Sequence, residues 1–181
     1  MQNKERKDKR ENGFTLVEIM VVTGIFSTLI IVISGVFIAS LRVERSVLAS
    51  KEVLGELSYV MEYMTRALRM AEKDVSGSCI LAGANYQLTS GGGLKFINAL
   101  QESACQEFSL QGGKIKYDTG TEDIDLTSSN INILALSFEI VNETESDNLQ
   151  PFVTVYLAAD SVNSQALQLQ TSVSQRNPDI R

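Results

Sequence analysis

"ENGFTLVEIMVVTGIFSTLIIVISGVFIASLRVE", residues 11–44, sets one carboxylate, Glu18, against a run in which no Asp, Glu, Lys, Arg or Pro occurs from Ile19 to Leu41. About 20 apolar residues in helical geometry cross the hydrocarbon of a bilayer, so the run predicts a membrane span. It is longer than the apolar core of an ordinary secretory signal. The continuation Ile38-Ala39-Ser40-Leu41-Arg42 also lacks a good small-x-small cleavage site, which disfavours a cleaved secretory signal. Upstream, MQNKERKDKRENG (1–13) carries five bases against three acids, a net of +2. Basic flanks stay on the cytoplasmic side, so the N-terminus is expected in the cytoplasm and everything after about Arg42 on the far side of the membrane.

An ionised carboxylate at the edge of hydrocarbon costs a few kcal/mol, roughly 3, unless it is paired. One reading of Glu18 is local. Thr15-Leu16-Val17-Glu18 fits a capping box, in which a hydroxyl and a Glu three residues on satisfy unpaired N–H groups at a helix start. A second reading uses more of the stretch. The basic leader, Gly13, Phe14, Thr15, Leu16, Glu18 and the apolar run together resemble the type IV pilin and type II secretion pseudopilin family, whose N-terminal signature has the order G-F-T-L-x-E.

That resemblance implies a prepilin peptidase that cuts after the glycine and methylates the new terminus. Here the cut falls between Gly13 and Phe14, and Phe14 becomes N-methylphenylalanine. It implies as well that residues 1–13 are a leader removed on maturation and that 14–41 form the membrane and assembly half of a helix. Glu18 then serves assembly, pairing with the Phe14 amine of a neighbouring subunit and offsetting the burial penalty of both charges. Other pilin or pseudopilin subunits and an inner-membrane assembly platform are the implied partners. The implied location is the inner membrane, single-pass with an extracytoplasmic domain, and then a pilus or pseudopilus.

Leu54, Leu57, Met61, Met64, Leu68 and Ala71 recur three and four apart, and no proline occurs before residue 151. The spacing predicts one helix from about Phe14 to about Lys73, with 42–75 its amphipathic half and Gly24, Gly35 and Gly55 its weak points. Its stripe is expected to dock on the chain's own domain. After a break at Val75-Ser76-Gly77-Ser78, the pattern changes to short alternating stretches. Residues 94–97, 107–110 and 115–117 are candidate strands, the last two joined as a hairpin through Gln111-Gly112-Gly113. "INILALSFEIV" (131–141) and "PFVTVYLAA" (151–159) are stronger strands, and 166–177 reads as an edge strand fading into a tail at Pro178. The fold class is α+β, a long helix on an antiparallel sheet that occupies residues 76–181. The family resemblance implies the same architecture. More loosely, 57–74 and 169–177 resemble the minor J-type pseudopilins and W-type minor pilins.

Cys79 and Cys105 are the two cysteines, both in the extracytoplasmic part, where disulfides persist. A bridge or two free thiols are the alternatives. With no histidine in 181 residues, a Cys/His nucleophile and a histidine-bearing zinc site are excluded, and two thiols are too few for a structural zinc. Ser90-Gly91-Gly92-Gly93-Leu94 lacks the ending of a phosphate loop and reads as a turn. Glu122–Asp125 and Glu143–Asp147 read as solvated acidic loops without calcium-loop spacing. No metal, cofactor or catalytic constellation is expected, and no enzyme. Loss of the +2 leader from a chain of net −6 leaves −8, a surface that disfavours nucleic acid. The expected function is a structural minor pilin-like subunit. A major fibre subunit and an uncleaved single-span anchored binding domain are the alternatives.

Overall fold

The computed structural model describes residues 13–100, 104–141, 150–162 and 164–176. Residues 1–12 of the leader, the acidic segment 142–149 and the tail from 177 lie outside the described residues. The chain divides into two compact units, Met1–Glu44 and Arg45–Arg181.

One α-helix, α1, covers Leu16–Arg69. Within the first unit every described residue is exposed, including the whole apolar run. Three of the run's five hydroxyls, those of Thr23, Ser27 and Thr28, bond to carbonyls of the preceding turn. Thr23 Oγ1 donates to Ile19 O at 2.9 Å and to Met20 O at 3.0 Å; Ser27 Oγ reaches Thr23 O and Thr28 Oγ1 reaches Ile25 O, each at 2.7 Å. Bonds of this kind let a hydroxyl sit in a helix without needing water as a partner.

In the second unit α1 buries Val53, Leu57, Val60, Met61, Met64 and Leu68. This stripe differs from the expected one at its start: Val53 is fully buried, whereas Leu54 is 45% exposed. Its end differs too. Helical bonding stops at Arg69, and Ala71–Glu72 forms β1, paired with Asn98 and Ile97. Ala71 is buried as a strand residue, not as the last turn of a helix. The carbonyls at the end of α1, and that of Met70 just past it, find donors elsewhere in the second unit. Tyr86 Oη donates to Leu68 O at 2.8 Å, the Arg176 amide to Arg69 O at 2.7 Å and the Ala99 amide to Met70 O at 2.9 Å. Those three bonds supply the partners that a helix C-terminus lacks, and so fix where the helix stops.

Eight further strands follow: β2 Tyr86–Leu88, β3 Leu94–Asn98, β4 Ala104–Gln111, β5 Lys114–Asp118, β6 Asp123–Asp125, β7 Ile131–Val141, β8 Phe152–Ser161 and β9 Leu167–Ser174. They form two antiparallel sheets where one was expected. The first has order β1-β3-β4-β5-β6 with β2 also on β3, and the second has order β7-β8-β9. The Ile133 amide donates to Gly113 O at 3.0 Å across the sheets. Both contribute to a core that also takes the α1 stripe. The β4–β5 hairpin turns on Gly112 and Gly113, both at positive φ (60° and 75°), the conformation a two-residue hairpin loop demands. Residues 123–125, expected as acidic loop, are instead strand β6, because they pair antiparallel with Lys116–Asp118 of β5; Lys114 and Lys116 also hold Asp125 at 3.0 and 3.6 Å. On β7 the buried positions shift from Ile131 and Ile133 to Phe138, odd to even. A bulge between Ile133 and Ala135 inserts the extra residue that changes the phase.

Candidate processing and assembly segment

The N-terminal constellation starts from Gly13, which meets nothing within 4 Å of where a side chain would begin. Phe14 follows, 77% exposed, and α1 opens two residues later. Thr15 caps the helix: its Oγ1 accepts from the Glu18 amide at 3.2 Å, and its carbonyl accepts from the Ile19 amide at 3.2 Å. This is one half of a capping box. The other half, in which a carboxylate at this position accepts from the Thr15 amide, is not formed: among the described residues the Glu18 carboxylate accepts no hydrogen bond and joins no ion pair. Helix geometry puts Phe14 and Glu18 about one turn apart. The segment thus presents an accessible Gly-Phe bond, a capped helix start and a carboxylate without a described partner, directly before an exposed apolar run.

The cysteines lie in the second unit and are bonded to each other, Cα to Cα 5.5 Å. The bond ties the loop after β1 to β4. The same loop is organised by Asp74, a residue that the sequence reading passed over. Asp74 is buried, and its carboxylate accepts from five donors: the amides of Ser76, Gly77, Cys79 and Ile80, and the Ser76 hydroxyl, at 2.7–3.1 Å. Gly77 sits at φ 71° so that its amide can point into this cradle. The signal was present as Asp-Val-Ser-Gly-Ser, an aspartate placed to bond backbone two and three residues on.

The Cys79 amide foremost, with Ile80, Ser76 and Gly77, holds the Asp74 carboxyl well below the usual carboxylate range, against the opposing effect of burial. A lowered folded-state pKa adds stability that is present above the unfolded value, about 3.9, and is lost as pH falls below it. Asp74→Asn is therefore expected to melt below the native chain at pH 7 and to approach it at pH 2.5. A melting gap that holds constant or widens toward acid contradicts this role.

The Asp74 loop and the disulfide both tie the segment after β1 into the second unit. The segment at Gly13, Phe14 and Glu18 is the one whose pattern corresponds to a known family. Residues 8–34 match the model of a family described as "Prokaryotic N-terminal methylation motif". No curated protein and no solved structure matches the chain. The matched residues take in the Gly13-Phe14 junction, Glu18 and the first part of the apolar run. The chain thus joins a methylation-type N-terminus to a long helix with an apolar first half, followed by antiparallel β-sheets.

Proposed function

We propose that this chain is a non-enzymatic subunit of a type IV pilus or type II secretion pseudopilus, and within that class a minor subunit that primes or tips the fibre. The observation that carries the reading is the methylation motif over residues 8–34, fused to a helix whose apolar run is wholly exposed in the single chain. Exposed apolar surface of that extent needs a cover. A bilayer supplies it before assembly, and the helices of neighbouring subunits supply it afterwards.

On this reading prepilin peptidase recognises the basic leader and cuts between Gly13 and Phe14, and Phe14 is then methylated. Residues 14–41 hold the chain in the inner membrane until an assembly platform moves it into the fibre. Residues 42–75 carry the helix out of the membrane onto the domain of residues 76–181, which faces the extracytoplasmic side. The Glu18 carboxylate, which has no partner among the described residues, supports an intermolecular role, because the local capping bond uses its backbone amide alone. A minor, J- or W-type assignment is favoured by the position of the Cys79–Cys105 bond, which does not enclose the C-terminal end of the chain as cysteines do in many major pilins.

The experiment is an N-terminal mass of the protein purified from cell membranes. Methylated Phe14 is the expected terminus. Retention of Met1 makes the chain an uncleaved anchored domain and ends this reading. A methylated Phe14 on a protein that dominates sheared filaments makes it the major subunit.

A further inference from the structure

The ends of the two sheets are guarded unequally. Strand β6 is three residues long with two aspartates, one held by Lys114 and Lys116. Strands β1 and β2 have two and three residues. The bulge in β7 breaks its edge, and its Ile133 amide is spent on Gly113 O. Short length, charge and bulges are the devices by which native sheets avoid pairing with other chains.

Strand β9 has none of them. It runs eight residues, Leu167–Ser174, pairs with β8 along its length, and among the described residues pairs with nothing on its other side. The surrounding sequence SVNSQALQLQTSVSQ, 161–175, contains no charged residue, no proline and no glycine. The core side also thins toward this edge. On β8, Val153, Val155, Leu157 and Ala159 are fully buried, whereas Leu167 and Leu169 of β9 are only partly covered.

We propose that β9 is a self-association edge: a second copy of this chain pairs its own β9 antiparallel to it and extends the three-stranded sheet to six strands. An open strand edge demands a strand, since only an extended backbone returns one donor and one acceptor at each position. The chemistry of the edge selects the same strand as its partner. Two chains of net −6 repel on approach, and a neutral strip against a neutral strip is where that repulsion is least. The exposed Gln168 and Gln170 carry amides that are donors and acceptors at once, so each is complementary to its own copy. Antiparallel pairing of one strand with itself closes under a two-fold axis and leaves no second sticky edge. This inference is independent of the pilin reading. Its failure leaves the state of Phe14 untouched, and an unmethylated terminus leaves β9 untouched.

The test is amide hydrogen exchange on the full chain in detergent micelles across a protein concentration series. Association through the apolar helix alters particle mass but not exchange at residues 167–174. Protection of β9 is expected to rise with concentration while that of β8 stays constant. The double variant Gln168→Lys/Gln170→Lys places like charges opposite one another only in the paired state, and is expected to weaken pairing about tenfold or more. Its disulfide and β8 protection report that the domain remains folded. Gln168→Glu/Gln170→Glu is expected to fail alone, and an equimolar mixture of the two variants to restore protection. Self-pairing is overturned by β9 protection that ignores concentration, by a Lys variant that protects like the native chain, or by a mixture that rescues nothing. Protection that appears only on adding a membrane extract, and never with concentration, assigns the edge to a different protein and overturns it as well.

Discussion

On the proposed function, Glu18→Gln is expected to yield a chain that is cut and methylated as the unsubstituted chain is, but is missing from the fibre. The substitution separates the two roles open to this residue. A capping box accepts Gln in place of Glu, and the bond formed at this helix start, from the Glu18 amide to Thr15 Oγ1 at 3.2 Å, does not involve the side chain. A purely local role therefore survives the change. An intermolecular pair between carboxylate and N-terminal amine does not survive it. The amine is then left as an unpaired charge in an apolar setting, at a cost of about 3–5 kcal/mol. That corresponds to at least about a hundredfold loss of affinity per subunit joined, enough to empty the fibre fraction. The readout is the ratio of this chain in sheared fibres to that in membranes, with the N-terminal mass of the membrane pool as control for processing. Native incorporation of the Gln variant rejects the pairing role and leaves Glu18 a cap residue. Failure of processing in the variant places Glu18 in peptidase recognition instead.

The helix start was legible because every signal for it is local: a hydroxyl at Thr15, an acid at Glu18 and an unbroken apolar run. The helix end was not. Ala71 follows Leu68 at helical spacing, and only the pairing of β1 with Asn98 and Ile97, distant in sequence, turns that residue into strand. Strands β7, β8 and β9 announce themselves by eight or more residues of branched and alternating composition. Strands β2 and β6 are three residues each and exist by virtue of their partners, so no local pattern marks them. Division into two sheets is likewise a matter of which strands meet. The bulge at Ile133/Ala135 hides in the sequence because it changes only the phase of burial along β7. At the candidate site, Gly13, Phe14 and Glu18 could be named because a processing signal is linear. Asp74 could not, since its importance lies in four amides converging on one carboxylate.

Cys79→Ser/Cys105→Ser is expected to lower the melting temperature of the domain by about 10 °C. Cross-linking residues 26 apart removes about 3.5 kcal/mol of loop entropy from the unfolded chain in the chain-entropy model, and for a domain of this size each kcal/mol moves the midpoint by about 3 °C. The bond does not hold the loop alone, however. The Cys79 amide donates to Asp74 Oδ2 at 2.8 Å, so the residue that carries the bridge is also one of the fingers of the Asp74 cradle. Cys105 stands opposite Ile97 on β4, in the part of the sheet that β1 joins directly after the helix. Each device thus holds the other's partner in place, and contacts that share a residue do not contribute independently. Asp74→Asn is accordingly expected to cost more in the double-serine background than in the bonded chain, because the loop it releases is no longer anchored at Cys79. Circular-dichroism melts of the four species, native, Asp74→Asn, double serine and triple variant, measure this at pH 7. Additive shifts refute the coupling. A double-serine shift below about 2 °C shows that the cradle holds the loop without the bridge.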